Sequence, residues 1–274
     1  MEAVGAVQVI KTLSSGFNNP LGLAIEGRFA PLMRQASTRK RYSVPMFQFF
    51  RRALQLFTRK FNVPFLVKQD FAPDGRYFQN IYKQRLFGKS TSVSGPGSSL
   101  DATKVIRESI FELFDQHGIR TIADIPCGDF LWFSAMEFKD LKYTGFDIVP
   151  ELISELREVF PGQQFDIHDA TSDLLESYDL ILCRDLLVHL TNEQARRVID
   201  NFKKSGSTYL LATTFVNLEG NVELRVPRIG VGWRPLNLAI FPFNLGSPIM
   251  TINENSSEGR GRYQDKSLGL WKLN

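Results

Sequence analysis

Histidine and cysteine are scarce. His117, His168 and His189, with Cys127 and Cys183, are the whole supply in 274 residues. Two cysteines without CxxC spacing provide neither a structural zinc site nor a disulfide scaffold, and they suit a reducing, cytoplasmic setting. No uncharged apolar run reaches the roughly 18 residues that a membrane span needs. No carboxylate spacing supports a divalent metal, Asp169 and Asp185 being the residues that could bind one. Internal repeats and low-complexity tracts are also missing, which excludes solenoids and compositionally disordered chains. What remains is a globular composition, 43% hydrophobic and 23% charged, sufficient for a sizeable core.

Acidic residues are nearly absent from the first 60 positions. Ten Lys and Arg there face only Glu2 and Glu26, giving +8 and leaving −4 for residues 61–274 of a chain whose net charge is +4. The basic arm therefore sets the pI, and the remainder is mildly acidic. Arg39 to Lys60 interleave with Phe47, Phe49, Phe50, Leu54, Leu56 and Phe57, an amphipathic pattern suited to docking on its own domain or on a membrane surface. Nucleic acid, anionic lipid, an acidic partner or plain solvation are the readings open to such an arm. Residues 1–40, arginine-bearing and poor in acids, are also compatible with an organelle transit segment. We read residues 1–70 as a basic, irregular or helical extension and 71–274 as the catalytic domain.

From Tyr77 the texture changes. A short helix over 77–87 is followed by a loop of small residues, Ser92-Val-Ser-Gly-Pro-Gly-Ser-Ser99. Asp101 is the expected N-cap of a helix from Ala102 to His117, and Gly118 its stop. Strands are then expected at 121–125, 141–148, 164–167, 178–183 and 207–215, with helices at 150–159 and 192–204. That rhythm predicts an open, doubly wound, mostly parallel α/β sheet. Segments 248–252 and 268–273 have no room for a helix between them, so they predict a closing antiparallel hairpin and seven strands in all.

Ligands of such sheets bind at the carboxyl ends of the strands, where strand order reverses. The first strand runs into Asp124-Ile-Pro-Cys-Gly-Asp-Phe130, the second into Gly145-Phe-Asp147 and the third into His168-Asp-Ala170. Three acids at three successive strand ends is a stronger signal than any one of them, since a single acid there is usually a turn or cap residue. Asp147 is placed to accept from both hydroxyls of a ribose, and Asp169 from an adenine amino group with Ala170 beside the ring. Pro126 and Phe130 occupy the positions of the first and last glycines of a dinucleotide fingerprint, so no pyrophosphate seat is expected. The pattern favours an adenosyl ligand without phosphates over a nicotinamide cofactor.

Residues from Tyr77 onward resemble a bacterial-type family of class I S-adenosylmethionine-dependent methyltransferases. The resemblance rests on Ser94-Gly-Pro-Gly-Ser-Ser99, Asp124-Ile-Pro-Cys-Gly-Asp-Phe130, Cys183-Arg-Asp-Leu-Leu-Val-His-Leu190, Thr213-Thr-Phe215, Trp233-Arg-Pro-Leu-Asn237, Ile252-Asn-Glu-Asn255 and Gly261-Arg-Tyr-Gln-Asp-Lys-Ser-Leu-Gly-Leu-Trp271. It implies methyl transfer from S-adenosyl-L-methionine and leaves the acceptor open, a glycan or small-molecule hydroxyl being the expectation. The candidate cofactor residues are Asp124, Pro126, Cys127, Gly128, Asp129, Asp147, Ile148, Asp169, Ala170 and Arg184. Asp124 would orient the glycine turn or meet the methionine amino group. Ser94–Ser99 would form a lid over the methionine carboxylate or serve as a connector.

A hydroxyl acceptor must lose a proton. His189 is the expected general base because imidazole titrates near neutral pH, with a helix residue bonded inside the domain as the alternative. Asp185 would orient it, contact the acceptor or line the methionine pocket. Arg184 would meet an acidic acceptor or bridge to a structural carboxylate. Glu254, Arg262, Tyr263, Asp265 and Lys266 in the hairpin loop, and Trp233, Arg234 and Asn237 before it, are candidates for acceptor specificity or structure. The Asn/Asp-Pro-Pro-aromatic motif of nucleic-acid amino methyltransferases is missing after the fourth strand, which argues against a nucleic-acid acceptor. A protein or RNA methyltransferase docking through the basic arm, and a non-catalytic binding module, are the competing readings.

Overall fold

The computed structural model describes residues 72–87, 92–137, 140–227, 230–256 and 261–273. The chain divides into two units, Met1–Leu66 and Val67–Asn274, and every described residue belongs to the second. The basic arm, its amphipathic segment and the transit reading of residues 1–40 lie outside the described residues.

Helix α1 (Gly75–Gln84) precedes the small-residue loop, in which Pro96–Ser98 form a 3-10 turn, and α2 (Lys104–His117) follows. Then come β1 (Thr121–Asp124), α3 (Leu131–Ser134), β2 (Lys142–Asp147), α4 (Pro150–Val159), β3 (Gln164–Ile167), β4 (Leu180–Cys183), α5 (Asn192–Lys204), β5 (Tyr209–Phe215), β6 (Met250–Asn253) and β7 (Lys266–Lys272). The sheet order is β3-β2-β1-β4-β5-β7-β6. The first five strands are parallel, and β7 runs antiparallel to both β5 and β6. The expected mostly parallel seven-stranded sheet with a terminal hairpin is thus present.

Local chemistry explains most boundaries. Pro150, whose missing N–H costs nothing in a first turn, opens α4. Thr191 and Gln194 form a capping box at the start of α5. Gly118 ends α2 with φ +64°, the left-handed region where glycine escapes a Cβ clash. The start of α2 differs from expectation. Thr103, not Asp101, is the N-cap, and Ala102 stays in the preceding turn. The hydroxyl of Thr103 donates to the Ser99 carbonyl at 2.8 Å instead of capping the helix. His189 lies in a single 3-10 turn, Leu187–His189, and not in a helix.

Strand residues alternate between two cores, as period-two side chains must. Ile122, Leu180, Leu182 and Leu211 face a core built with α2, α3 and α4. Ala123, Ile181, Cys183, Leu210 and Ala212 face one built with α5 and Leu236, Leu238 and Phe243. The chain leaves β1 toward β2 and β3 on one side, and β4 returns to the other side of β1. That reversal opens a crevice at the carboxyl edge between β1 and β4. Among the described residues no helix is long and apolar enough to cross a membrane.

Candidate active site

The β1–α3 turn is built for close backbone approach. Gly128 has φ +55°, and a Cβ there would lie 2.4 Å from Ser94 Oγ. The Asp129 N–H donates to Ser94 Oγ at 3.0 Å, and Asp129 Oδ2 accepts from the Val93 N–H at 2.8 Å. The small-residue loop is therefore stitched to the glycine turn through both residues. Phe130, also left-handed at φ +59°, turns its ring into a buried cluster with Phe133, Tyr143, Phe160 and Phe165, with centroids 4.9–5.9 Å away. This packing accounts for phenylalanine at a position where a dinucleotide turn carries glycine.

Beside this turn, Ile125, Pro126, Asp147, Ile148, His168, Asp169 and Ala170 line one crevice, together with Leu186, Leu190, Gln194 and the Ala72–Asp74 segment with Phe78. Among the described residues no lysine or arginine lines it. The strand-end logic explains the gathering: β1, β2 and β3 are neighbours in parallel register, so their last residues share an edge. Asp147 accepts from the Val149 N–H at 3.0 Å. Its burial raises the carboxyl to about 6, against the pull of the Val149, Gly128 and Ile148 N–H groups. Asp169 Oδ1 accepts from the N–H and hydroxyl of Thr171 at 2.9 and 2.7 Å. Burial lowers the His168 imidazole below its ordinary value, with Asp173 and Asp169 opposing. Gln194 donates to the Pro73 carbonyl, so the residue that caps α5 also ties down the segment before α1.

Other expected cofactor residues sit beneath or beside this crevice. Asp124 is 2% exposed and accepts from the Tyr143 hydroxyl at 2.8 Å. Burial raises its carboxyl to about 8, with Tyr143 and Arg184 opposing. Cys127 is buried in the α2–α4 core, and burial and the nearby Asp147 and Asp124 carboxylates push its thiol far up. Arg184 turns away to Glu254, with Nη2–Oε2 at 2.7 Å and Nε–Oε1 at 3.3 Å. It also donates to the Gly97 carbonyl at 2.8 Å and lies 5.8 Å from the Trp132 ring. Of its expected roles, in cofactor binding, toward an acidic acceptor or toward a structural carboxylate, the geometry displays the bridge to a carboxylate.

The second half of the site stands at the ends of β4 and β5 and the start of β7. Asp185 adopts φ +57°, and its N–H donates to Thr213 Oγ1 at 2.9 Å. Its Oδ2 accepts from Lys266 Nζ at 2.8 Å and lies 3.5 Å from Arg184 Nη1. Lys266 also lies 3.5 Å from Glu254 Oε2. Burial pushes the Asp185 carboxyl up, but Lys266 and Arg184 outweigh it and hold the group well below the usual carboxylate range. Asp185 Oδ1 is buried and has no hydrogen-bond partner among the described residues.

His189 Nδ1 lies 2.6 Å from the Gly232 carbonyl. A carbonyl only accepts, so Nδ1 carries the proton and Nε2 keeps a lone pair. Burial, opposed by that hydrogen bond, lowers the imidazole below its ordinary value, so the ring is neutral at pH 7. The Gly232 N–H donates in turn to the Tyr77 hydroxyl at 2.9 Å, and Phe87 meets the imidazole edge-on at 5.3 Å. The group that orients His189 is thus a backbone carbonyl, while Asp185 is engaged by Lys266. Tyr77, Tyr143 and the Gln194–Pro73 contact carried no signal in the sequence beyond ordinary helix and strand periodicity. Among the described residues no group of three or more His, Cys, Asp or Glu side chains is arranged to hold a metal ion.

No family model and no curated protein matches the chain. Solved structures do. Human N-acetylserotonin methyltransferase in complex with SAM is 15% identical over 79% of this chain and 61% of that one, with a TM-score of 0.50. Magnesium protoporphyrin IX methyltransferase from Synechocystis PCC 6803 with bound SAM is 14% identical over 74% of this chain and 98% of that one, at 0.47. A Bordetella parapertussis protein described as a possible exported protein is 18% identical over 42% and 44%, at 0.35. The chain spans less than two thirds of the length of the human and Bordetella proteins. The likeness to the human enzyme establishes the fold, a Rossmann-like methyltransferase sheet.

Proposed function

We propose that this chain is an S-adenosylmethionine-dependent methyltransferase that methylates a hydroxyl of a small molecule or sugar. The observation that carries the reading is the crevice with Asp147 and Asp169 at adjacent strand ends and, among the described residues, apolar side chains and no lysine or arginine in its walls. Two carboxylates suit a ligand rich in hydroxyl and amino donors and repel one bearing phosphates. Asp147 would accept from the ribose hydroxyls and Asp169 from the adenine amino group, with Ile148 and Ala170 against the ring. The stitched Ser94–Ser99 loop and Gly128 would border the methionine end. S-adenosylmethionine, when bound, supplies a methyl carbon made electrophilic by its sulfonium.

The chain's own task is to align the acceptor, exclude water and take up one proton. His189 suits the last role, because the Gly232 carbonyl fixes its tautomer with Nε2 as the base. Calorimetry with S-adenosylmethionine, S-adenosylhomocysteine and NAD tests the reading. The first two are expected to bind and NAD is not; tight NAD binding would overturn it. His189→Ala is expected to spare cofactor affinity and to cut turnover by about 10²–10⁴. Unchanged turnover would remove His189 from the mechanism.

A further inference from the structure

Helix α1 reaches both parts of the site. Phe78 in its first turns, and Ala72, Pro73 and Asp74 just before it, line the crevice that holds Asp147 and Asp169. The backbone of Gly75 comes so near to the crevice residue Ile148 that a Cβ there would meet its side chain at 3.4 Å. Beside Phe78, the Tyr77 hydroxyl accepts from the Gly232 N–H at 2.9 Å. The Gly232 carbonyl in turn faces His189 Nδ1 at 2.6 Å. Tyr77 and Gly232 are 155 residues apart in the chain, so the tertiary fold, not local geometry, brings them together.

Glycine orients a carbonyl poorly by itself, because its torsions are the least restricted. A larger residue is disfavoured at Gly232, since a Cβ would crowd Val226, 3.0 Å from its Cγ2 and 3.3 Å from its Cα. The carbonyl is therefore aimed from its flanks. On the far side the Arg234 N–H donates to the Val188 carbonyl at 3.1 Å, and the Arg234 guanidinium donates to the Val222 carbonyl at 2.7 Å. On the near side the Tyr77 hydroxyl holds the Gly232 N–H. The neighbouring quartet of Arg184, Asp185, Glu254 and Lys266 is paired within itself, so the imidazole takes its orientation from Gly232.

Helix α1 is tied at several points. Asp74 caps it by accepting from the Tyr77 N–H at 2.9 Å, Gln194 donates to the Pro73 carbonyl, and Lys83 pairs with Glu151 of α4 at 2.7 Å. A ligand seated in the crevice adds contacts to this same short helix. It favours the seated helix because that helix supplies part of the pocket wall.

We infer that Tyr77 is the positioning residue of His189, and that α1 transmits occupation of the adenosyl crevice to the Gly232 carbonyl that fixes the tautomer of the base. This rests on the methyltransferase reading for the identity of the ligand. By linkage, a ligand that orders α1 strengthens the Tyr77–Gly232 bond, so the base is set when the cofactor is in place.

The test uses NMR of the full chain, isotopically labelled at nitrogen, with S-adenosylhomocysteine as the probe. Tyr77→Phe removes only the hydroxyl and keeps the ring that packs edge-on against Phe78 at 5.3 Å. With three histidines in the chain, His117 and His168 serve as internal controls. Without ligand, wild-type His189 is expected mainly as the Nδ1–H tautomer. Its ratio of Nδ1–H to Nε2–H is expected to fall about threefold or more in Tyr77→Phe, with His117 and His168 unmoved. On addition of S-adenosylhomocysteine, amide exchange in Gly75–Gln84 and at Gly232 is expected to slow about threefold or more in the wild type. In Tyr77→Phe only the α1 amides should respond. The inference is overturned if Tyr77→Phe leaves the His189 ratio unchanged, if all three histidines shift alike, or if the ligand slows exchange in wild-type α1 but not at Gly232. The last comparison needs no variant. Failure of S-adenosylhomocysteine to bind would instead strike the methyltransferase reading, and the tautomer ratios of the ligand-free chains would still decide the role of Tyr77.

Discussion

The two halves of the carboxyl edge solve the problem of burying acids in opposite ways. On the β1–β2 side, Asp124 and Asp147 are buried with hydroxyl and backbone N–H partners and, among the described residues, no salt bridge, and burial raises them to about 8 and about 6. On the β4–β7 side, Asp185 and Glu254 face Lys266 and Arg184, and Asp185 is held low despite its burial. The first arrangement leaves carboxyl groups reliant on neutral donors, which a hydroxyl-rich ligand can add to. The second holds a fixed charge that a ligand meets ready-made. The difference separates a region that gains from its ligand from one that is pre-organised without it.

Removing a cation should therefore hurt far more than removing a carboxylate charge on the other side. Lys266→Met leaves Asp185 without its closest partner in a poorly solvated site, and a loss of about 3–5 kcal/mol in unfolding free energy is expected by denaturant titration. Asp147→Asn removes no cation's partner and is expected to cost less than about 1 kcal/mol. Equal losses would erase the contrast.

A smaller effect concerns pH. A carboxyl raised in the folded state contributes stability that is full below its ordinary value of 3.8 and is lost as pH rises through about 8. Asp124→Asn cannot ionise and keeps an oxygen for the Tyr143 hydroxyl. Its melting temperature should exceed that of the wild type most at about pH 9, by much less at about pH 5, and not at all below about pH 3.8. A wild type and variant with parallel pH profiles would mean that Asp124 is ionised throughout.

What could be read in the sequence follows from how local each determinant is. Helices α4 and α5 and strand β3 have the expected bounds because Pro150, the Thr191–Gln194 capping box and short-range patterning act within a few residues. The strand-end positions of Asp124, Asp147 and Asp169 were legible for the same reason. The quartet was not. Lys266 and Asp185 are 81 residues apart and Arg184 and Glu254 are 70 apart, and only the antiparallel placement of β7 against β5 joins them. In the sequence, Lys266 reads as one more polar residue of a hairpin loop. Phe130 shows the converse. Its position was legible as an obstacle to a phosphate seat, whereas the aromatic cluster it fills depends on β2 and β3.

The central claim is that the adenosyl ligand is gripped on the β1–β3 side of the edge and not by the quartet. Calorimetry of S-adenosylhomocysteine binding to Asp147→Ala and to Lys266→Met, each confirmed folded, tests it most directly. The account predicts a loss of about tenfold or more for Asp147→Ala and affinity close to wild type for Lys266→Met. Wild-type affinity in Asp147→Ala would contradict it.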